Sequence, residues 1–234
     1  DCAYPISVTE ESEAGIPFAR HRAIIMAQND DALIFVDDDE QASPGWLKAI
    51  VKTWVDTGAD IVAGPVQGRL PDGAPAWAVK SGPFDTYLAR KRGQEIDKAY
   101  THNTLISGAV LRTLGPVFDP AFRYTGSSDI HFFRQARHKG YRMIWCNEAV
   151  MTETVPLSRA RWGWLLRRSF RDGSGDTISR IIGKPGMATV CTVLGLAVAR
   201  FGSGISLILK GVVLRDWARF VKGVRHLCAS VGTV

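Results

Sequence analysis

Residues 32–36, Ala-Leu-Ile-Phe-Val, form an apolar run of strand length that stops at three consecutive aspartates, Asp37, Asp38 and Asp39, with Glu40 behind them. A run without polar alternation reads as a strand covered on both faces, as in the parallel sheet of an α/β protein. Ligands of open α/β sheets sit beyond the carboxyl ends of such strands, which is where these carboxylates fall. In an extended chain Asp37 and Asp39 share a side, so both could ligate one hard divalent ion, directly or through water. Asp-rich turns also form simply because Asp bonds its own neighbouring backbone, and the run alone leaves both readings open.

The flanking pattern predicts which elements carry this tip. Ile6-Ser7-Val8 reads as a short strand or its end. After Pro17 the spacing of Ala19, Ala23, Met26 and Ala27 predicts a helix of about three turns. Pro44-Gly45 opens a second helix, where Trp46, Leu47, Ile50, Val51, Trp54 and Val55 make an amphipathic stripe that faces a core. Residues 60–66 read as the next strand, so helices and strands alternate, as expected of an α/β sheet with helices on both faces. Residues 67–103, rich in Gly, Pro and charge, read as a long excursion with one short helix near Phe84 to Arg92, of the kind that commonly forms a binding segment or lid. An apolar run follows over 104–111. Gly126-Ser127-Ser128-Asp129 then opens a helix that Gly140 closes, with Ser127 or Ser128 as cap and Asp129 in the first turn, where an anion is favoured. Residues 141–146 and 149–155 read as two further short strands.

Charge divides the chain. Residues 1–156 hold 16 Lys and Arg against 20 Asp and Glu, whereas residues 157–234 hold 13 against 3, so the overall charge of +6 belongs to the tail. Cys2, Cys146, Cys191 and Cys228 are widely spaced, with no zinc-ligand pattern and no disulfide framework, which suits a reducing compartment. The chain opens on Asp1-Cys2-Ala3-Tyr4-Pro5, without an initiator Met or signal peptide, and reads as one already in progress.

Four segments in order then resemble the inverting, nucleotide-sugar-dependent glycosyltransferases of family 2. They are Gly15-Ile16-Pro17-Phe18-Ala19-Arg20-His21-Arg22; Phe35 to Glu40 with Pro44-Gly45-Trp46-Leu47; Asp129 with Arg134 and Gly140; and Arg167-Arg168-Ser169-Phe170-Arg171-Asp172-Gly173, which is similar to a segment of bacterial exopolysaccharide glucosyltransferases of the succinoglycan type. The resemblance implies a Rossmann-like GT-A fold, incomplete at its amino terminus by about one strand-helix-strand portion. It also implies Mg²⁺ or Mn²⁺ and a nucleoside-diphosphate sugar, a UDP-sugar foremost. On this reading Asp37 and Asp39 hold the metal, Arg20 and Asp38 contact the donor, and Asp129 is the general base. Arg167, Arg168 and Arg171 meet a diphosphate or an anionic lipid-linked saccharide acceptor, and Glu153 is an additional metal ligand. The sequence departs from the family pattern at Ser128, where Glu is usual, and at His21, where Asn is usual. A second reading, a non-catalytic membrane-associated scaffold with a degenerate form of the fold, stays open on the same residues.

Residues 1–157 are thus expected to form the catalytic domain and 158–234 a basic, apolar helical region associated with a membrane. Trp162, Trp164, Leu165, Leu166 and Phe170 interleave with Arg161, Arg167, Arg168 and Arg171, the pattern of a helix at a bilayer surface. Residues 187–199 and 205–209 are apolar but fall short of a spanning length. With Arg215, Arg219, Lys222 and Arg225 beyond, they read as a peripheral or re-entrant hairpin on an anionic leaflet, on the cytoplasmic face of a bacterial inner membrane. A helical pair packed on the catalytic domain and a transmembrane hairpin are the alternatives. Nucleic acid is not an expected partner, because the basic residues lie in an apolar, tryptophan-containing tail without a recognition motif.

Overall fold

The computed structural model describes residues 5–86, 91–113 and 118–234. In chain order these form α1 (Ile16–Ala27), β1 (Ala32–Phe35), β2 (Glu40–Ala42), α2 (Trp46–Thr57), β3 (Ile61–Ala63), β4 (Val66–Arg69), α3 (Ala76–Ser81), β5 (Thr104–Ser107), α4 (Gly108–Thr113), a 3-10 turn (Pro120–Phe122), α5 (Ser128–His138), β6 (Met143–Trp145), β7 (Met151–Thr154), α6 (Trp162–Gly183), α7 (Met187–Val213) and α8 (Trp217–Thr233).

Alternation along the central strands builds two cores. The sheet runs β1-β5-β3-β6. Ile61, Ala63, Ile106, Met143 and Trp145 point to one face, against Ile24 of α1, Val110 of α4, and Phe132 and Phe133 of α5. Val62, Leu105 and Ile144 point to the other, against Ile50 and Trp54 of α2. A second sheet, β2-β7-β4, flanks the first.

Several expectations change. β1 pairs antiparallel with β5, which pairs antiparallel with β3; only β3–β6 is parallel in this sheet. β1 is an edge strand among the described residues and only half-buried, so its unbroken apolar run reflects packing on Phe118 and α2 and not enclosure in a parallel sheet. Ile6-Ser7-Val8 is an exposed coil. In the 67–103 segment a strand, β4, and a helix at 76–81 precede the expected helix position, part of which, at 87–90, lies outside the described residues.

The tail is three helices packed on the sheet domain. Trp77 of α3 stacks on Trp162 of α6 with ring centroids 4.4 Å apart, and Leu165 and Val221 complete a third core. α6 is joined to α5 through Asp176, which accepts hydrogen bonds from Arg134, and through Ser179, whose hydroxyl accepts one from Arg134 at 2.6 Å. α7 lies along α8 by close backbone approach: a Cβ on Gly204 would stand 3.0 Å from the carbonyl oxygen of Gly223, and one on Gly223 would stand 2.7 Å from that of Gly204. This contact carries the helix through Gly202-Ser203-Gly204. The two apolar runs, separate in the sequence reading, form one 27-residue helix, about 40 Å long, whose best 18-residue window has a mean hydropathy of 1.7.

Candidate functional site

Strand pairing assembles the acidic cleft. The antiparallel register sets Phe35 of β1 opposite Thr104 of β5, so two residues beyond the strand end Asp37 comes beside His102. β2 then sets Glu40 opposite Glu153 of β7. Ligand atoms of Asp37, Glu40 and His102 all lie within 4.8 Å of one another. The Glu40 side chain is 1% exposed; His102 Nδ1 stands 3.7 Å from Glu40 Oε1, which is buried and has no hydrogen-bond partner. Glu40 Oε2 accepts from the backbone N–H of Asp37 at 3.3 Å. Burial, reinforced by Asp37, Asp39 and Glu153, pushes the Glu40 carboxyl up to about 7. His102 is held below its usual range by burial, against the pull of Asp37 and Asp129.

Asp39 and Glu153 share a different partner. Arg159 donates to Glu153 and stands 3.9 Å from Asp39. Burial raises the Glu153 carboxyl, Asp39 raises it further, and Arg159 opposes both. Asp38 is exposed in the turn.

Asp129 reaches Arg20 and His102 from the first turn of α5. Gly126 (φ 72°) and Ser127 (φ 68°) both take left-handed backbone, which for Ser127 is a strained choice. Its side chain lies against Gly175 of α6, where a Cβ would clash. Neither serine hydroxyl caps the helix as expected: Ser127 makes no side-chain cap bond, and the Ser128 hydroxyl accepts from Arg20 Nη1 at 3.2 Å. The Arg20 guanidinium is packed over the Phe118 ring, 5.8 Å from its centroid. Its burial lowers its affinity for a proton, while Asp129 and Asp37 both act to retain it. Asp37 and Asp129 therefore flank one arginine and one histidine, although 92 positions separate them in sequence.

Of the α6 arginines, Arg168 acts on His102 and Tyr100 at the cleft and bonds Asp172 at 3.1 Å. Arg167 and Arg171 are exposed. The sequence reading gave no role to Glu40, His102 or Asn103. Asn103, in left-handed conformation (φ 49°), accepts from Trp46 Nε1 at 2.7 Å and donates to the carbonyls of Pro65 and Ala149, tying both sheets together beside His102. The available signal was a polar His-Asn pair immediately before an apolar strand.

The donor set suits a hard divalent cation. Two carboxylates supply oxygen, a neutral imidazole admits Mn²⁺ as well as Mg²⁺, and the unpartnered, buried Glu40 Oε1 is the kind of atom a cation would satisfy.

Comparison with known proteins identifies the scaffold. The Glycosyl transferase family 2 model matches residues 4–115. Over 152 residues the chain is 36% identical to the succinoglycan biosynthesis protein ExoM of Rhizobium meliloti (strain 1021), covering 65% of this chain and 48% of that protein. Over 171 residues it is 27% identical to the glycosyltransferase AglE of Haloferax volcanii, covering 71% and 52%. The chain thus spans about half the length of the curated relatives it matches. Crystal structures of S. aureus TarS 1–349 in complex with UDP and with UDP-GlcNAc align over 86% and 91% of this chain, and 68% and 71% of theirs, at 11% identity and a TM-score of 0.42 in both cases.

Proposed function

We propose that this chain, whose residues 4–115 match the Glycosyl transferase family 2 model, is a member of that family that moves a sugar from a nucleoside-diphosphate sugar, a UDP-sugar foremost, to a lipid-linked saccharide in bacterial exopolysaccharide synthesis, with inversion at the anomeric carbon. The carrying observation is the convergence of Asp37 and Asp129 on Arg20 and His102. Two carboxylates from distant segments near one arginine and one histidine supply a donor-side group and a base-side group. Asp129 takes the proton of the acceptor hydroxyl as that oxygen attacks the anomeric carbon, and the nucleoside diphosphate departs from the opposite face. Arg20, kept cationic between two carboxylates, is positioned to meet the donor. Asp37, Glu40 and His102 would hold the Mg²⁺ or Mn²⁺, with Asp39 and Glu153 beside them, engaged by Arg159. A divalent cation bound there supplies charge neutralisation for the leaving diphosphate. Asp38 remains free to contact the donor, and Arg167, Arg168 and Arg171 offer positive charge along α6.

Residues 1–157 then act as the catalytic domain and 158–234 as the membrane-associated region, peripheral on the cytoplasmic face of the inner membrane and in contact with an anionic lipid surface. The outward side chains of α7 support this: Met187, Val190, Leu194, Val198, Phe201, Ile205, Leu209 and Val212 are exposed. The mid-helix charge Arg200 turns inward to Asp176, 2.7 Å away. Crossing the bilayer would take that ion network in with the helix, so α7 lies in the membrane plane.

The test is a titration of nucleoside diphosphates and their sugars with and without Mn²⁺, followed by transfer assays on Asp129→Asn. Metal-dependent binding of one nucleotide, with transfer lost in Asp129→Asn and donor binding retained, is the expected result. Wild-type turnover in that variant would overturn the base assignment. Absence of nucleotide binding by the folded protein would favour the scaffold reading.

A further inference from the structure

Between α3, α6 and α8 lies a cavity of about 400 Å³ that the transfer chemistry does not use. Its walls include the hydroxyls of Ser81 and Ser169, both buried and both without a hydrogen-bond partner; Ser169 is 3% exposed. A buried hydroxyl left unsatisfied is costly, so two on residues that line one cavity call for an acceptor-rich occupant. Lys222, Arg225 and His226 of α8 line the same space. Arg225 donates to the carbonyl of Pro83 at 3.3 Å, and His226 Nδ1 is engaged with the Ser203 hydroxyl at 2.9 Å. Among the described residues no carboxylate lies within 4.0 Å of Lys222 or Arg225, and the one carboxylate of the lining, Asp172, is engaged by Arg168.

Donor hydroxyls together with two cations that form no direct ion pair, Arg225 only near Asp172, match a phosphate ester. Tyr100, a half-buried phenol, feels Asp129 most strongly and then Asp172, Arg225 and Arg168, and so stands between the candidate base and the cavity. On another side of α8 packs α7, whose outer face is apolar and exposed.

We infer that this cavity binds the phosphate group that joins the acceptor saccharide to its lipid, with Lys222 and Arg225 as counter-charges and the Ser81 and Ser169 hydroxyls as donors. This rests on the transferase reading above and names where its acceptor is anchored. On this reading the saccharide reaches from the cavity towards Asp129 across the side of Tyr100. A volume of this size accommodates a diphosphate and the first unit attached to it.

The same phosphate chemistry is offered by a bilayer headgroup, so the experiment has two arms. Inorganic pyrophosphate is titrated calorimetrically in EDTA, which silences metal-dependent donor binding, into the wild type, Lys222→Met/Arg225→Met and Asp37→Asn. The expected result is binding to the wild type and to Asp37→Asn, weakened at least tenfold in the double variant, whose circular dichroism and Mn²⁺-dependent nucleotide binding stay at wild-type level. In the second arm the proteins are sedimented with phosphatidylglycerol vesicles. Vesicle binding that is unchanged by the double substitution and not competed by pyrophosphate supports the acceptor phosphate. Vesicle binding lost in the double variant and competed by pyrophosphate would overturn that assignment in favour of a headgroup. Equal pyrophosphate affinity in wild type and double variant, or none in either, would overturn the site itself, while retained nucleotide binding would leave the transferase reading standing.

Discussion

Glu40 and Asp176 both hold carboxylates almost out of reach of solvent, with side chains 1% and 7% exposed, yet they sit at opposite ends of the carboxyl range. Around Glu40 burial is compounded by Asp37, Asp39 and Glu153, and the group is pushed up to about 7. Around Asp176 burial is outweighed by Arg134, Arg180 and Arg200, and the group is held down at about 2. Where cations from α5, α6 and α7 meet a carboxylate, the protein has completed the pairing itself and the result is a joint. Where Asp37 and Asp39 of the turn after β1 crowd Glu40 of β2 and Glu153 of β7 without enough cations, the pairing is incomplete among the described residues. The contrast separates structural charge from charge available to a ligand.

The largest effect expected is on the joint. Asp176→Asn leaves three guanidiniums without their counter-charge, two of them largely buried, and should cost about 3–5 kcal/mol of stability, read by urea denaturation. A loss below about 1 kcal/mol would mean that solvent already shares the network, and the contrast with Glu40 would fail.

The reverse is expected in the cleft. Glu40→Gln removes an ill-compensated buried charge and should stabilise the metal-free protein at pH 8 by on the order of 3 kcal/mol. If Asp37, Glu40 and His102 hold the proposed cation, the substitution should also abolish the rise in Tm expected of the wild type with Mn²⁺. The pH dependences oppose one another. The Glu40 carboxyl, raised on folding from 4.5 to about 7, makes a contribution that is complete below about 4.5 and lost as pH rises through about 7. The Asp176 carboxyl, lowered from 3.8 to about 2, makes one that is present above about 3.8 and lost as pH falls through about 2. A Tm profile in EDTA should therefore fall on both sides, with the neutral limb missing in Glu40→Gln and the acid limb missing in Asp176→Asn.

Gly173→Ala asks whether the joint depends on helix packing. A Cβ there would stand 2.2 Å from the carbonyl of Ala229, forcing α6 and α8 apart at a cost of about 1–3 kcal/mol. Asp176 lies one turn further along α6, so the acid limb should shift towards higher pH as its arginines are displaced, while Mn²⁺ binding at Glu40 stays unchanged. An altered Mn²⁺ affinity would show the two regions to be coupled.

Much of this was readable before the structure because short-range physics carries it. The α2 stripe, the strand at 32–35 and the helix at Ser128 follow from periodicity and turn chemistry, whereas the role of Asp129 came only with the family resemblance. The parts that were missed depend on partners distant in sequence. Glu40 and His102 become neighbours only through the β1–β5 register, and β1 itself proved an antiparallel edge strand where its composition suggested a parallel interior. The stretch around Gly204 reads as a break between two apolar runs until Gly223 of α8 is placed against it, and the pairing of Arg200 with Asp176 has no local signature. Asp39 and Glu153 share Arg159, a pairing with no local signature.

A third carboxylate, on the surface, calibrates the contrast. Asp56 pairs with Lys52 at 3.0 Å on α2 and with Arg92 at 3.2 Å, with side chains 45%, 57% and 38% exposed. By distance alone these bridges resemble those of Asp176. Water, however, solvates both partners whether or not they touch, and ordering two long side chains offsets most of the attraction. Lys52→Ala should therefore change stability by no more than about 0.5 kcal/mol, and that change should vanish in 0.5 M salt, because exposed pairs are screened at short range. The Asp176→Asn loss should persist under the same salt. If Lys52→Ala proved as costly as Asp176→Asn, pairing distance and not burial would set the energetics of these carboxylates, and the division between joint and cleft would lose its physical basis.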